Sequence, residues 1–435
     1  MQSVSRSPLV AQATPQTRSI VRRHPMTRTG ALVLVLLASL ASAAGAQTGE
    51  PATRAEALRR EREAKQKALE PHEPNALERG MYVAEDRVIP LLQRDGLYAK
   101  FGSLTTGSGT AFGIGVRDRS LVRGLGSLDV WAAGSFSRYW ALEARGQYPL
   151  TEGGALSLDG AIRRFSYPSE EFFGIGPSSR GRRDTSYAFS GTTAVASLIA
   201  RPNRRFSFSG GIGYLDPEIG RGRGTEPGDN DDLSIHDVFT DQSAPGLAVQ
   251  SAFVKSSFSA AYDYRMPVNA RRGGWYRFEA TRYDDRSGGD QSFSSYTLDL
   301  RQFVSILAER RVFAGRIWVA TTEPAGGSRV PFYLMPALGG NDSLRGFRHN
   351  RFRGPHALLL QGEYRWEIWS GLDAALFVDA GKVALRRADL DFDDLEHDYG
   401  FGFRFNTDNA IIFRVDAAFG SRDGKRLHVV FGGIF

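Results

Sequence analysis

The chain of 435 residues contains no cysteine, so neither disulfides nor thiolate metal sites can hold it together. Histidine is scarce, with seven in all, and none lies in a His-Glu-x-x-His spacing, which excludes the zinc-hydrolase pattern. A barrel phospholipase would need a serine, a histidine and a polar orienting group together on its outer wall. His428 is the one histidine on a clear terminal strand, and no Gly-x-Ser-x-Gly accompanies it. The acidic runs Asp391, Asp393, Asp394, Glu396 and Asp229, Asp231, Asp232 read as solvated loop tips. We therefore expect no enzyme, no cofactor and no metal.

Long apolar runs are equally rare. Ala31–Leu40 is one, and nothing after it approaches the ~20 residues that a helix needs to cross a bilayer. A chain with this pattern that enters a membrane must do so as a closed barrel, because only then are all backbone polar groups paired. Residues 1–46 contain no acidic residue but five arginines, Arg6, Arg18, Arg22, Arg23 and Arg28. Arg22, Arg23 and Arg28, the apolar core and the small residues Ala44-Gly45-Ala46 form the three parts of a cleavable export signal. This places a signal peptide at 1–46, with Met26 a candidate true start. Losing it lowers the formal charge from +7 to +2, so the basic excess gives no support to a nucleic-acid partner.

What is abundant is glycine, with 49 residues, and aromatics, with 28 Phe and 15 Tyr, a composition of strands and tight turns. Residues 47–95 are different. Ala52–Leu69 is rich in Ala, Glu, Lys and Arg with few large apolar residues, which suits a polar, helical periplasmic arm. From residue 96 to 435 the period is two. Leu358, Leu360, Tyr364, Trp366 and Ile368 alternate with Leu359, Gln361, Glu363, Arg365 and Glu367. Phe413, Val415, Ala417 and Phe419 alternate with Arg414 and Asp416, and Phe401, Phe403 and Phe405 flank Arg404. One face suits lipid and the other carries both signs of charge, as a polar lumen does. The expected fold is all-β: a transmembrane antiparallel barrel of about sixteen strands. The first strand is placed at 97–104 and the last at 426–435, with 154–166 and 204–215 among those between. Short turns at one end (201–203, 307–310, 370–371, 407–409) contrast with longer connections at the other (167–182, 215–246, 323–355, 386–397), the asymmetry of outer-membrane barrels.

The most distinctive stretch is Gly339–Gly354, GGNDSLRGFRHNRFRG, placed before the last five strands. Its Leu344-Arg345-Gly346-Phe347 core, followed by Arg351-Phe352-Arg353-Gly354, resembles the signature loop of the bacterial surface antigen family, the superfamily of BamA/TamA-type outer-membrane assembly and translocation barrels. Asp263-Tyr264-Arg265-Met266-Pro267 with Arg272-Gly273-Gly274, and Phe172–Pro177, are similar to further family stretches. The resemblance implies that the loop folds back into the lumen and that Arg345 meets acidic residues of the inner wall, at positions matching Glu363 and Asp379. It also implies that the terminal Phe435 serves as the signal read by barrel-assembly machinery. By the same resemblance the protein is a monomeric barrel in the lipid of the bacterial outer membrane, with unfolded outer-membrane proteins or lipids as clients. Between Gln47 and Asp95 there is too little alternating apolar sequence for one of the family's periplasmic polypeptide-transport-associated repeats. That departure keeps a second reading open: a passive channel or structural barrel with a loop-plugged lumen.

Overall fold

The computed structural model describes residues 95–179, 185–223, 233–266, 271–306, 310–369, 371–406 and 411–431. The signal peptide, all but the last residue of the arm, and Phe435 lie outside the described residues.

Sixteen long strands follow one another in chain order. They are β1 (Gly96–Gly102), β2 (Ala111–Ser120), β3 (Gly126–Ser135), β4 (Trp140–Pro149), β5 (Leu156–Phe172), β6 (Thr185–Ala200), β7 (Phe206–Arg221) and β8 (Phe253–Asp263). The second half comprises β9 (Gly273–Asp285), β10 (Phe293–Ile306), β11 (Arg311–Pro324), β12 (His356–Trp369), β13 (Leu372–Ala384), β14 (Glu396–Asn406), β15 (Ile411–Ser421) and β16 (Gly424–Phe431). Each strand pairs antiparallel with the next, from β1 with β2 through to β15 with β16. The result is a nearly closed antiparallel barrel. Among the described residues no ladder joins β1 to β16.

The side chains invert the arrangement of a water-soluble protein. Val378 is 57% exposed, and Leu376, Phe401, Phe403, Leu427 and Val429 are exposed beside it on the outer wall. Asp379, Asp416, Glu363, Arg404 and Arg414 are buried. Successive residues of a strand point to opposite faces, so a period of two places every second residue in the lumen and the rest on the outer wall.

Two strands run past their expected ends. β5 continues from Tyr167 to Phe172, with a register shift between Tyr167 and Glu170. The shift accommodates Pro168, which has no N–H for a ladder. β7 continues through Pro217 to Arg221, paired there with β6 alone, because β8 meets β7 only as far as Leu215. On that open flank a missing N–H leaves no acceptor unpaired. The expected connections 167–182 and 215–246 are shorter by those segments. The extensions bury Phe172, Tyr187 and Ile219 against Ile235, Phe332 and Tyr333 of the neighbouring loops. That burial of several aromatic side chains supplies the drive to continue the strands.

Candidate functional site: a loop keyed into the barrel wall

The connection 325–355 between β11 and β12 turns back into the lumen. Two glycines make its first bend possible. Gly339 and Gly340 both have positive φ, and a Cβ on Gly339 would stand 2.1 Å from the Arg348 carbonyl oxygen. The loop then closes on itself. The Gly339 N–H donates to Ser343 Oγ at 2.8 Å and the Gly340 N–H to the Phe347 carbonyl at 3.1 Å. Leu344, Phe347 and Phe352 pack with Leu338 against Ala357 and Leu359 of β12 and Val383 of β13. Phe347 and Phe352 meet edge to face at 5.1 Å. This apolar contact fixes the loop's height in the barrel, and so sets where Arg345 lies.

The Arg345 side chain is fully buried. Its Nε donates to Asp379 Oδ2 at 2.7 Å, its Nη2 to Asp379 Oδ1 at 2.8 Å and its Nη1 to Glu363 Oε2 at 3.0 Å. Nη1 also lies 3.6 Å from Asp416 Oδ2. The guanidinium stands 3.4 Å over the centroid of the Phe377 ring. A planar fork of five donors can serve two carboxylates and a ring face at once, where an ammonium could not. Burial alone would push the Arg345 pKa down, but Asp379, Glu363 and Asp416 together raise it, so the group stays charged.

Around this centre the wall supplies further charges. Arg404 grips Glu363, with Nη2 to Oε2 at 2.6 Å, and Asp416, with Nη1 to Oδ1 at 2.5 Å. Arg365 donates to Glu363 Oε1 at 2.6 Å, and Arg414 pairs with Asp416. Gln361 Nε2 bridges Asp379 Oδ1 at 3.1 Å and the Ser343 carbonyl at 2.8 Å. Gly346 passes close to the wall, where an added Cβ would stand 2.6 Å from that of Asp398. Its carbonyl accepts from Ser421 Oγ at 2.5 Å, and the Arg345 carbonyl lies 2.7 Å from His428 Nε2.

The rest of the motif reaches other walls. Arg348 pairs with Glu171 of β5 at 2.5 Å. Arg351 donates to Ser179 Oγ and to its carbonyl, both at 2.9 Å, and lies 3.4 Å from Asp423. Arg353 donates to the Phe332 carbonyl at 3.0 Å, and the Gly354 N–H to the Pro336 carbonyl at 3.1 Å. The loop thus spans the lumen, from β12 and β13 across to β5.

The structure therefore brings Arg345, Glu363 and Asp379 together, lays Leu344, Gly346, Phe347, Phe352 and Gly354 against the wall beside them, and sends Arg351 elsewhere. Sequence reasoning did not single out Asp416, Arg404, Arg414, Arg365, Asp398, Gln361 or His428 as members of this cluster. Inward position was readable for most of them from the period of two; which inward residues share a level was not. In the acidic loop, Lys382 Nζ donates to Asp391 Oδ1 at 2.6 Å and to the Asp393 carbonyl at 2.9 Å. A lysine ammonium therefore sits where a cation would.

A family profile, the Omp85 superfamily domain, matches residues 132–435. No curated protein sequence matches the chain. Among solved structures, BamA from Haemophilus ducreyi lacking POTRA domains 1–3 is similar, with a TM-score of 0.57 at 17% identity over 78% of this chain and 69% of that one. CdiB from Acinetobacter baumannii and CdiB from Escherichia coli each give 0.48 at 13% identity, and this chain spans 59% and 61% of theirs.

Proposed function

The chain belongs to the Omp85 superfamily, and on that footing we propose that this outer-membrane barrel assists the insertion or translocation of proteins at the outer membrane through the seam between its first and last strands. The observation that carries the reading is the asymmetry of that seam. Every other strand boundary is a hydrogen-bonded ladder, whereas none joins β1 to β16 among the described residues. An unpaired strand edge is a template for another strand. In this reading β16 or β1 offers that edge to a client, and the loop carrying Arg345 holds the remaining wall in shape. The second reading, a passive channel or structural barrel with a loop-plugged lumen, accommodates the crossing loop equally but gives the seam no task.

The test is quantitative proteomics of the outer-membrane fraction before and after depletion. A selective fall in barrel proteins or lipoproteins supports the role and names the clients. An unchanged inventory sinks it in favour of the channel. Because the native chain has no thiol, a cysteine pair joining β1 to β16 gives a clean lock. If the locked barrel still restores the inventory, the seam is not the route.

A further inference from the structure

A cavity of about 700 Å³ lies between the inner side of β16, the β1–β2 and β3–β4 connections, the extension of β5 and the lumen loop. Its size falls in the range that holds small molecules, roughly 300–1,000 Å³. Its formal charge is one-sided: Arg138, Arg223 and Arg426 line it with His349 and His428 beside them, and Glu171 is the one carboxylate. Glu171 is already engaged by Arg348, at 3.0 Å from Nε and 2.5 Å from Nη2. Arg138 and Arg223 are solvent-exposed, and among the described residues no carboxylate pairs with either.

The backbone presents Arg138 at some expense and holds Arg223 by hydrogen bonds. Arg138 occupies the left-handed region, with φ 64°, at the tip of the β3–β4 hairpin, where glycine or asparagine is the ordinary choice. Arg223 is tied to the β5 extension: its N–H donates to the Pro168 carbonyl at 3.2 Å, and its own carbonyl accepts from Ser169 Oγ. Beside the cations stand the rings of Phe136, Tyr139 and Phe347 and the hydroxyls of Ser137 and Thr106.

We propose that this cavity binds a phosphate ester of a compact polyhydroxylated molecule. Its phosphate is held by Arg138 and Arg223 and its body lies against the rings and hydroxyls. Arginine forks match phosphate oxygens in pairs, which makes phosphate the better fit to these residues than a halide or a neutral sugar. The occupant would touch Gly340, Phe347 and His349, and so contact the lumen loop.

The test uses the full-length mature barrel reconstituted in phosphatidylcholine vesicles, with glucose 6-phosphate and glucose titrated calorimetrically. Glucose 6-phosphate is expected to bind at one site per barrel and glucose not to bind. Arg223→Gln should weaken binding roughly tenfold or more, since a charge-assisted contact is lost. Arg138→Gly should do the same while leaving the hairpin at least as stable, because it relieves the left-handed strain. This variant separates a binding role from a structural one. Vesicles containing lipid A distinguish the source: competition with glucose 6-phosphate points to a phosphorylated lipid headgroup, and its absence to a soluble sugar phosphate, both within the proposal. Glucose 6-phosphate binding no better than glucose, or full binding by folded Arg138→Gly and Arg223→Gln variants, overturns it.

Discussion

Replacing Arg345 by alanine tests the wall-to-loop key directly. The substitution removes three side-chain hydrogen bonds, two to Asp379 and one to Glu363. The loss is unevenly shared. Glu363 keeps Arg404 and Arg365, and Asp416 keeps Arg404 and Arg414. Asp379 is left with Gln361 at 3.1 Å and the backbone N–H of residue 345 at 3.3 Å. Stripping one partner from a buried ion pair costs about 3–5 kcal/mol, most of it the burial of an uncompensated charge. At ~1.4 kcal/mol per decade, the population of undocked loop should rise by roughly two to three and a half orders of magnitude. Arg345→Lys should lose less, about 1.5–3 kcal/mol for each charged hydrogen bond that a single ammonium cannot replace.

Limited trypsinolysis reads this population, because Arg348, Arg351 and Arg353 are cleavage sites that the docked loop withholds. When reclosing outpaces cleavage, the rate tracks the open fraction. The expected order is Arg345→Ala fastest, then Arg345→Lys, then wild type, with channel conductance rising in the same order. The pair Arg345→Ala and Asp379→Asn should cost less together than the sum of the two alone, since the second change removes the stranded charge. If Arg345→Ala leaves both cleavage and conductance at wild-type levels in a barrel that still shows heat-modifiable mobility, the key does not hold the loop.

Other perturbations probe neighbouring parts of the same argument. Gly346→Ala places a methyl 2.6 Å from the Asp398 Cβ and should destabilise docking by about 1–3 kcal/mol, visible as faster loop cleavage with an intact barrel. Val378→Arg puts a charge on the lipid face near the middle of β13 and should cost about 2–4 kcal/mol in urea unfolding from vesicles, with loop protection unchanged. Asp241 bears on pH. Partial burial works to raise its pKa, but the Ala248 N–H, the Arg329 guanidinium and the Gly246 N–H outweigh it, so the folded value is lowered. Its contribution is thus present above the ordinary aspartate value of about 3.9 and lost as pH falls through the lower folded value. Hydrogen-exchange protection of residues 240–248 should collapse only in that acidic window. Asp241→Asn should show the weakened protection at neutral pH, and equal protection in both proteins would refute the assignment.

How far the sequence reached depended on which period carried the information. Alternation in β12 placed Glu363 inward and Ile368 outward, and β12 ends and β13 begins at the expected residues because Gly371 breaks the pattern sharply. The ends of β5 and β7 were not legible. Pro168 and Pro217 argued for loops, and the burial that overrides them involves Phe332 and Ile235, far away in sequence. The charged cluster was half legible. Arg345 with Glu363 and Asp379 came from motif resemblance. Arg404, Arg414 and Asp416 were visible as inward charges without a destination, because a strand pattern fixes the face of a residue but not its register against a loop from elsewhere.

The register shows why the loop carries an arginine at that position. In the wall, Glu363 is paired with Arg365 and Arg404, and Asp416 with Arg404 and Arg414, whereas Asp379 takes its guanidinium from the loop. An unmatched charge is costly in a water-poor interior, so Asp379 favours a loop that brings Arg345 to it. Buried ion pairs of this kind do more to specify one arrangement than to raise stability, since apolar replacements are often as stable. What is specified here includes the last strand. Among the described residues β16 has a ladder toward β15 alone, and His428 reaches the Arg345 carbonyl at 2.7 Å, while Ser421 and Asp423, where β15 turns into β16, bond to Gly346 and Arg348. The loop therefore anchors β16 from inside the barrel. An anchor of this kind would keep β16 in place while its other edge opened, which is the mechanical condition that the proposed strand-templating role requires.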